Sequence, residues 1–268
     1  MKIGITGIRG RMSTALAIEI INNNLFDISG ALVREGYDEV GQDIGEFLNL
    51  DKKTNSLITD NLETLFDNSD AVIDFSSPEL TMKCAEMAAK KNKILISGTT
   101  GLSDEEKEKL SILSNSCKIV HSGNMSIGAN LLLNLVEETA SLLREDYDAE
   151  VLEMHHRNKK DAPSGTALML GKAVADGRNL NFGDVSRKVR DGNIGIRETN
   201  EIGFAVLRGG DVVGEHTVIF AGTGERIELS HKATSRLIFV HGAIRATIWA
   251  SGQKNGLYSM QDVLRAKK

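Results

Sequence analysis

Lys2-Ile-Gly-Ile-Thr-Gly-Ile-Arg-Gly-Arg-Met12 is the stretch on which the fold turns. Lys2 to Thr6 is a short β-rich run, and Thr14 to Asn22 carries apolar residues at helical spacing. The glycines therefore fall where a strand hands over to a helix. Glycine there tolerates positive φ and lets backbone N–H groups approach a pyrophosphate at the helix N-terminus. Gly7-x-x-Gly10 is shorter than the full GxGxxG fingerprint, so a plain strand-to-helix turn competes with the dinucleotide reading.

The chain beyond this first helix repeats the same rhythm. Ile28 to Val33, Ala71 to Phe75, Ile94 to Ser97 and Lys118 to His121 read as strands, with helices from Glu79 to Lys91 and from Asp104 to Ser114. Strands alternating with helices predict a Rossmann-like, doubly wound parallel sheet covered on both faces. The second half changes character. A helix is expected from Ser126 to Leu143, and a Gly/Arg-rich connection runs from Phe182 to Gly210. Gly214 to Phe220 and Glu225 to His231 read as antiparallel strands joined by Gly222-Thr-Gly224. This predicts a smaller mixed α+β domain over 126–236. The closing helices, Phe239 to Ser251 and Ser259 to Ala266, are expected to return to the first domain, which then comprises 1–125 with 237–268.

With 268 residues, 41% of them hydrophobic, the chain can build one large or two modest cores. Neither a signal peptide nor an apolar run of membrane length is apparent, so the expectation is a cytoplasmic protein with no membrane partner. A net charge of -5 argues against a nucleic-acid partner, and any anion should be small and met locally. Cys84 and Cys117 lack metal-ligand or CxxC spacing and read as reduced, structural thiols.

The end of the second strand should lie beside the adenine ribose of a dinucleotide, where a carboxylate usually holds the 2′-hydroxyl. Here the residues are Leu32-Val33-Arg34, with Glu35 the nearest acid. Arg34 suits a 2′-phosphate bidentately, which predicts NADPH as the preferred cofactor with NADH usable. Gly7, Ile8, Arg9, Gly10, Arg11 and Met12 form the candidate pyrophosphate turn, although Arg9 could equally be a solvated charge. Gly98-Thr99-Thr100 and Ser122-Gly123-Asn124-Met125 follow later strands and suit a nicotinamide ribose and carboxamide; ordinary turn chemistry is the alternative.

A second cluster lies in Glu153-Met-His-His-Arg-Asn-Lys-Lys-Asp-Ala-Pro-Ser-Gly-Thr-Ala167, between a strand ending near Met154 and a helix over Ala167 to Val174. His155 and Lys159 are candidate proton donors, and Gly165 with Thr166 could hold a carboxylate at a helix N-terminus. On an extended backbone His155 and His156 point to opposite sides, so only one can face a given pocket directly. Lys159, Lys160 and Arg236 could supply cationic charge, Lys160 more simply as a solvated one. His216, His231 and His241 read as hydrogen-bonded structural residues. Glu153, His155 and His156 do not converge as metal ligands, and no metal is expected.

The His155 to Ala167 stretch, with Gly7 to Met12, Gly98-Thr-Thr-Gly101 and Gly214-Glu-His-Thr217, resembles the 4-hydroxy-tetrahydrodipicolinate (dihydrodipicolinate) reductase family from Lys2 to Val263. The resemblance implies NAD(P)H-dependent reduction of the dehydrated dicarboxylate to tetrahydrodipicolinate in lysine and diaminopimelate biosynthesis, by a homotetramer assembled through the C-terminal domain. It implies His155 as proton donor/acceptor, Lys159 as a second donor, and His156, Gly165 and Thr166 as substrate binders. It also places the cofactor on Gly7 to Met12, Arg34, Gly98 to Thr100 and Ser122 to Met125. Hydride addition to an unsaturated imine leaves an enamine that must take up a proton, so a general acid of near-neutral pKa fits this chemistry. Three positions depart from the family pattern: Val33 where an acid is common, Ser13 where glycine is usual, and Ser77 where some relatives carry a base. The competing readings are another two-domain Rossmann reductase, of aspartate or sugar dehydrogenase type, and a non-catalytic NADPH-sensing module.

Overall fold

The computed structural model describes residues 1–22 and 26–265. In chain order the first half contains β1 (Lys2–Thr6), α1 (Arg11–Asn22), β2 (Asp27–Leu32), α2 (Ile44–Phe47), β3 (Ile58–Thr59), α3 (Leu62–Asp67), β4 (Ala71–Asp74), α4 (Pro78–Lys91), β5 (Ile94–Ser97), α5 (Asp104–Leu113) and β6 (Lys118–His121). The second contains α6 (Ile127–Leu143), β7 (Asp148–His155), α7 (Gly165–Gly177), α8 (Phe182–Val185), β8 (Ser186–Arg187), β9 (Ile202–Arg208), β10 (Gly214–Gly222), β11 (Glu225–Ala233), α9 (Leu237–Ser251), β12 (Gly256–Tyr258) and α10 (Met260–Arg265). They form two compact units, Met1–Met125 with Leu237–Lys268 and Ser126–Arg236.

In the first unit the sheet order is β12-β6-β5-β4-β1-β2-β3, and every pairing is parallel. Ile3, Ile5, Val72, Ile73, Leu95, Ile96, Ile119 and Val120 are all fully buried. Successive residues point to opposite faces, so burial of both faces requires the continuous apolar runs seen in these strands. β1 has β2 on one side and β4 on the other. The chain therefore reverses its direction of travel across the sheet at β1, and a crevice opens beyond the carboxyl ends of β1 and β4.

Short polar residues cap α2 to α5 of this unit. Ser77 caps α4 ahead of Pro78, and Ser103 forms a reciprocal capping box with Glu106 on α5. α1 begins at Arg11, three residues before the expected Thr14, because the Gly7 to Gly10 turn already supplies helix-type bonds: Thr14 N donates to Gly10 O at 2.8 Å. The region between β2 and β4, for which the sequence gives no clear periodicity, holds α2, β3 and α3. α9 packs against β5, β6 and α1. For the expected closing helix, Met260–Arg265 is helical and Ala266 lies outside the described residues.

The second unit has a five-stranded sheet, β11-β10-β7-β9-β8. β10 pairs antiparallel with both β11 and β7, whereas β9 is parallel to β7 and β8. β7 alternates between buried and less buried positions throughout, and β10 does so up to Ala221. Their buried face meets α6 and α7 in a core that includes Leu132, Val136, Val151, Leu170, Val174, Phe204 and Phe220. The helices approach closely at Gly177, where an added Cβ would lie 2.3 Å from the Glu137 carbonyl oxygen.

The Gly/Arg-rich connection expected from Phe182 to Gly210 is more ordered than its composition suggests. It contains β9, a central strand of the sheet, preceded by a segment pinned by arginines. Arg190 grips Glu150 with two bonds of 2.7 Å and also pairs with Glu201; Arg197 reaches Asp148 at 2.6 Å. These partners lie on or next to β7 and β9, so pairing with distant carboxylates supplies an order that local propensity does not.

Glycine is needed at Gly242 in α9 for packing, since an added Cβ would lie 1.8 Å from the Met125 carbonyl oxygen. Gly242→Ala is expected to destabilise the protein by about 1–3 kcal/mol through overpacking, read as a lower urea midpoint. A midpoint equal to wild type would show that this backbone contact yields freely.

Candidate active site

Beyond β1 the backbone turns through Gly7, at φ +60°, and Gly10 N donates to Gly7 O at 2.8 Å. Beside this turn lies a cavity of about 730 Å³, within the range of small-molecule sites. Gly7, Gly10, Leu32, Val33 and Arg34 line it together with Phe75, Ser76 and Ser77 beyond β4. Those groups fit a dinucleotide's needs: a glycine turn for the pyrophosphate, apolar walls for an adenine, and the Arg34 cation at the end of β2. Asp60, Glu79 and Lys83, none anticipated from sequence, line the same cavity. Lys83 pairs with Glu79 at 2.7 Å.

At the same sheet edge sits Asp74, the last residue of β4 and 0% exposed. Its carboxylate accepts hydrogen bonds from the hydroxyls of Thr6, Ser76, Thr81 and Thr99, with a longer one from Ser97 at 3.4 Å. Thr99 Oγ1 also accepts from Ser76 N at 3.1 Å. One buried carboxylate thus gathers β1, the turn after β4, α4 and the turn after β5.

The expected cofactor residues divide accordingly. Gly7, Gly10 and Arg34 face the cavity. Ile8 is fully buried, Arg11 is exposed at the start of α1, and Met12 is partly buried. Arg9 stacks over Tyr37 and lies 3.4 Å from Glu39. Gly98, Thr99, Thr100 and Ser122 to Met125 follow β5 and β6 at the carboxyl edge, outside that cavity. The Thr99 hydroxyl is committed to Asp74, and Ser122 Oγ donates to Asn124 O at 2.8 Å.

In the second unit, β7 delivers Glu153 and His155 to one side of the sheet, as alternate residues of a strand must be. Glu153 is 0% and His155 8% exposed. Glu153 Oε1 accepts from Ser164 N at 3.0 Å, and Arg208, the last residue of β9, donates to both carboxylate oxygens at 3.0 Å. The remaining direction on Oε2 meets His155 Nδ1. Ser164 caps α7 by accepting from Ala167 N at 3.2 Å, and its hydroxyl is 3.1 Å from His216 Nε2. The His216 and His155 rings meet edge to face, 5.1 Å between centroids.

Gly165 is therefore the first residue of α7, exposed, with Thr166 next to it, one and two residues beyond the Ser164 whose amide Glu153 holds. Lys159 Nζ lies 2.9 Å from Asp161 Oδ1. His156 is outside the strand, its N–H donating to Val212 O at 2.8 Å. Of the expected substrate group, the structure draws His155, Lys159, Gly165 and Thr166 around one strand-to-helix connection.

Residues 1–125 match the family described as dihydrodipicolinate reductase, N-terminus, and residues 128–264 match dihydrodipicolinate reductase, C-terminus. The chain belongs to the dihydrodipicolinate reductase family. It is 46% identical over 266 residues to the 4-hydroxy-tetrahydrodipicolinate reductase of Hahella chejuensis, covering 99% of each chain. Against the protein of that name from Brucella abortus (strain 2308) the identity is 48% over 265 residues, covering 98% of each. The fold matches a dipicolinate-bound dihydrodipicolinate reductase from Paenisporosarcina sp. TG-14 with a TM-score of 0.76 at 24% identity, covering 98% of this chain and 99% of that one. An amine dehydrogenase from Mycobacterium smegmatis shares the fold more loosely, at a TM-score of 0.62 and 13% identity, with 97% and 95% covered.

Burial sets the electrostatics of this reductase-family chain. Burial pushes the His155 pKa down; Glu153 pulls it up, while Lys159 and Arg208 lower it further. The net direction is below an ordinary histidine. At neutral pH the ring is uncharged, donates Nδ1–H to Glu153, and carries a lone pair on Nε2, which faces Gly214. Burial alone would raise the Glu153 carboxyl, but hydrogen bonds from Arg208, His155 and Ser164 N bring it below the usual range.

Glu153, Ser164, Arg208, His216 and Asp74 were not anticipated as site residues. Two signals were present: Glu153-x-His155 has the spacing of one strand face, and Asp74 ends an otherwise apolar buried strand. Arg208 gave none, since strand pairing alone brings it in, and His216 stood in the Gly214-Glu-His-Thr217 stretch of the resemblance but read as structural.

His216 is pushed to about 4 by burial and by the neighbouring His155. Its ring stays neutral in the fold, whereas the unfolded chain takes up a proton below about pH 6.5. Its contribution to stability should therefore be lost as pH falls from about 6.5 towards 4, by about 3 kcal/mol in all. Urea unfolding at pH 7, 5.5 and 4.5 should show a shallower pH dependence for His216→Asn than for wild type; equal slopes would count against a buried neutral ring.

Proposed function

We propose that this chain uses NAD(P)H to reduce the dehydrated form of 4-hydroxy-tetrahydrodipicolinate to tetrahydrodipicolinate, in lysine and diaminopimelate biosynthesis. The observation that carries the reading is the placement of His155 at the end of β7, linked through Glu153 to the Ser164-capped turn that presents Gly165 and Thr166. In this reading the first unit binds the cofactor. The second unit binds the dicarboxylate and forms a homotetramer, in the cytoplasm.

When bound, the nicotinamide supplies the hydride. Gly165, Thr166 and His156 hold substrate carboxylate through backbone amides, a hydroxyl and the positive end of α7. His155 delivers the proton that the reduced enamine requires, from Nε2, with Lys159 as the second donor. The free enzyme holds His155 neutral. A substrate dianion beside it would favour the imidazolium and bring its pKa back towards neutrality, so the acid is charged when substrate is present.

The preferred cofactor is NADPH. Arg34 offers a planar pair of donors to a 2′-phosphate, and Val33 stands where relatives commonly carry an acid. Glu35 and Asp60 line the same cavity and can accept from a 2′-hydroxyl, which keeps NADH usable.

The direct test monitors nicotinamide absorbance when the purified protein meets the freshly formed product of dihydrodipicolinate synthase, with NADPH and NADH in parallel. Rapid oxidation is expected; intact NADPH binding without turnover would move the function to another reductase or to a sensing module. His155→Gln should lower kcat by about 100-fold or more with a much smaller change in KM, and an unchanged kcat would remove His155 from the chemistry. Arg34→Ala should weaken NADPH while leaving NADH nearly untouched. Equal losses for both would exclude a 2′-phosphate contact.

A further inference from the structure

We propose that Glu153 is a positioning residue: its carboxylate fixes the tautomer and orientation of His155 and ties that ring to the turn at Ser164, Gly165 and Thr166. This rests on the reading of His155 as proton donor.

A buried ion pair is a poor source of stability, because desolvation of the charges offsets most of their attraction. Glu153 and Arg208 therefore call for a role beyond holding β7 to β9, which backbone pairing already does. Every acceptor direction of the carboxylate is assigned. Ser164 N and Arg208 Nη2 meet Oε1; Arg208 Nη1 and His155 Nδ1 meet Oε2. The guanidinium is itself held, donating to Leu207 O and Asp161 O at 2.7 Å each. The carboxylate cannot turn away from His155 without losing a bond elsewhere.

The effect on His155 comes from the difference between its two nitrogens. A carboxylate at Nδ1 accepts only, so Nδ1 must carry the proton and Nε2 is left to exchange one. The negative charge also stabilises the imidazolium after it forms, as the buried carboxylate does in a Ser-His-Asp triad. The charged and titratable groups around the ring are Glu153 on its own strand, Arg208 from β9, His216 from β10, and Lys159 with Asp161 from the connection between β7 and α7. Glu153 favours the imidazolium, whereas Arg208 and Lys159 oppose it. Loss of the carboxylate and loss of the guanidinium should therefore move His155 in opposite directions, which a merely structural role would not produce.

The experiment is an imidazole NMR titration of the full-length, histidine-labelled protein as wild type, Glu153→Gln and Arg208→Gln, alongside pH profiles of kcat/KM. In wild type the neutral ring should be the Nδ1–H tautomer. In Glu153→Gln the His155 midpoint should fall by about one unit or more, the tautomer preference should be lost, and the His155-dependent limb of the kinetic profile should move to lower pH. KM for NADPH should stay within about twofold, since a substitution in the proton-donor group has no reason to alter cofactor binding. In Arg208→Gln the midpoint should rise. An unmoved midpoint and tautomer in Glu153→Gln, or a loss of rate equal at every pH, overturns the proposal. If Glu153→Gln does not fold, Arg208→Gln decides, and a midpoint that stays or falls overturns it. Shifted midpoints with no turnover by wild type would refute the assigned reaction while leaving the Glu153–His155 coupling in place.

Discussion

A carboxylate removed from water must have its acceptor directions filled by donors, and both units of this protein are arranged around one such group. Asp74 ends β4 and Glu153 lies two residues from the end of β7; neither has any exposed surface. An unpaired buried charge would be untenable, so each carboxylate draws segments far apart in sequence into contact. Thr6, Ser76, Thr81 and Thr99 converge on the first. Ser164, Arg208 and His155 converge on the second. In each case the convergence lies at the carboxyl end of a central strand.

The partners differ in a way that suits different work. Hydroxyls from β1, α4 and the turns after β4 and β5 surround Asp74, and they are neutral and short. That arrangement shapes a cradle without committing a protein cation to it. Glu153 instead meets a guanidinium and an imidazole. The carboxylate and the guanidinium act on His155 in opposite directions, and burial holds the ring neutral. The first network is suited to fixing geometry and the second to fixing a proton.

Much of this was readable in the residues. The strand-helix alternation, the glycine turn after β1 and the two-part division follow from periodicity and from where glycine falls, because period-two and period-3.6 patterns are local. The strands β1, β5 and β6 coincide with their expected limits for that reason. β9 escaped because Gly203, Ala205 and the flanking arginines weaken the strand signal; its order comes from pairing with β7 on one side and ion pairs before it. Ser164 was legible as part of a strand-to-helix connection, but its bonds to Glu153 and His216 were not, since they depend on strands 11 and 52 residues away.

By itself the sequence determined the class of fold, the turn suited to a dinucleotide, the Arg34 cation and the His155 to Thr166 cluster. These depend on spacing along the chain and on the chemistry of single residues. Only the tertiary structure decided that Asp60, Glu79 and Lys83 share a cavity with Arg34, that Asp74 gathers four segments, and that Glu153 lies between His155 and Arg208. Strand order and register set which side chains meet across a sheet, and burial sets how strongly they act on one another. Neither is a property of any short stretch of chain.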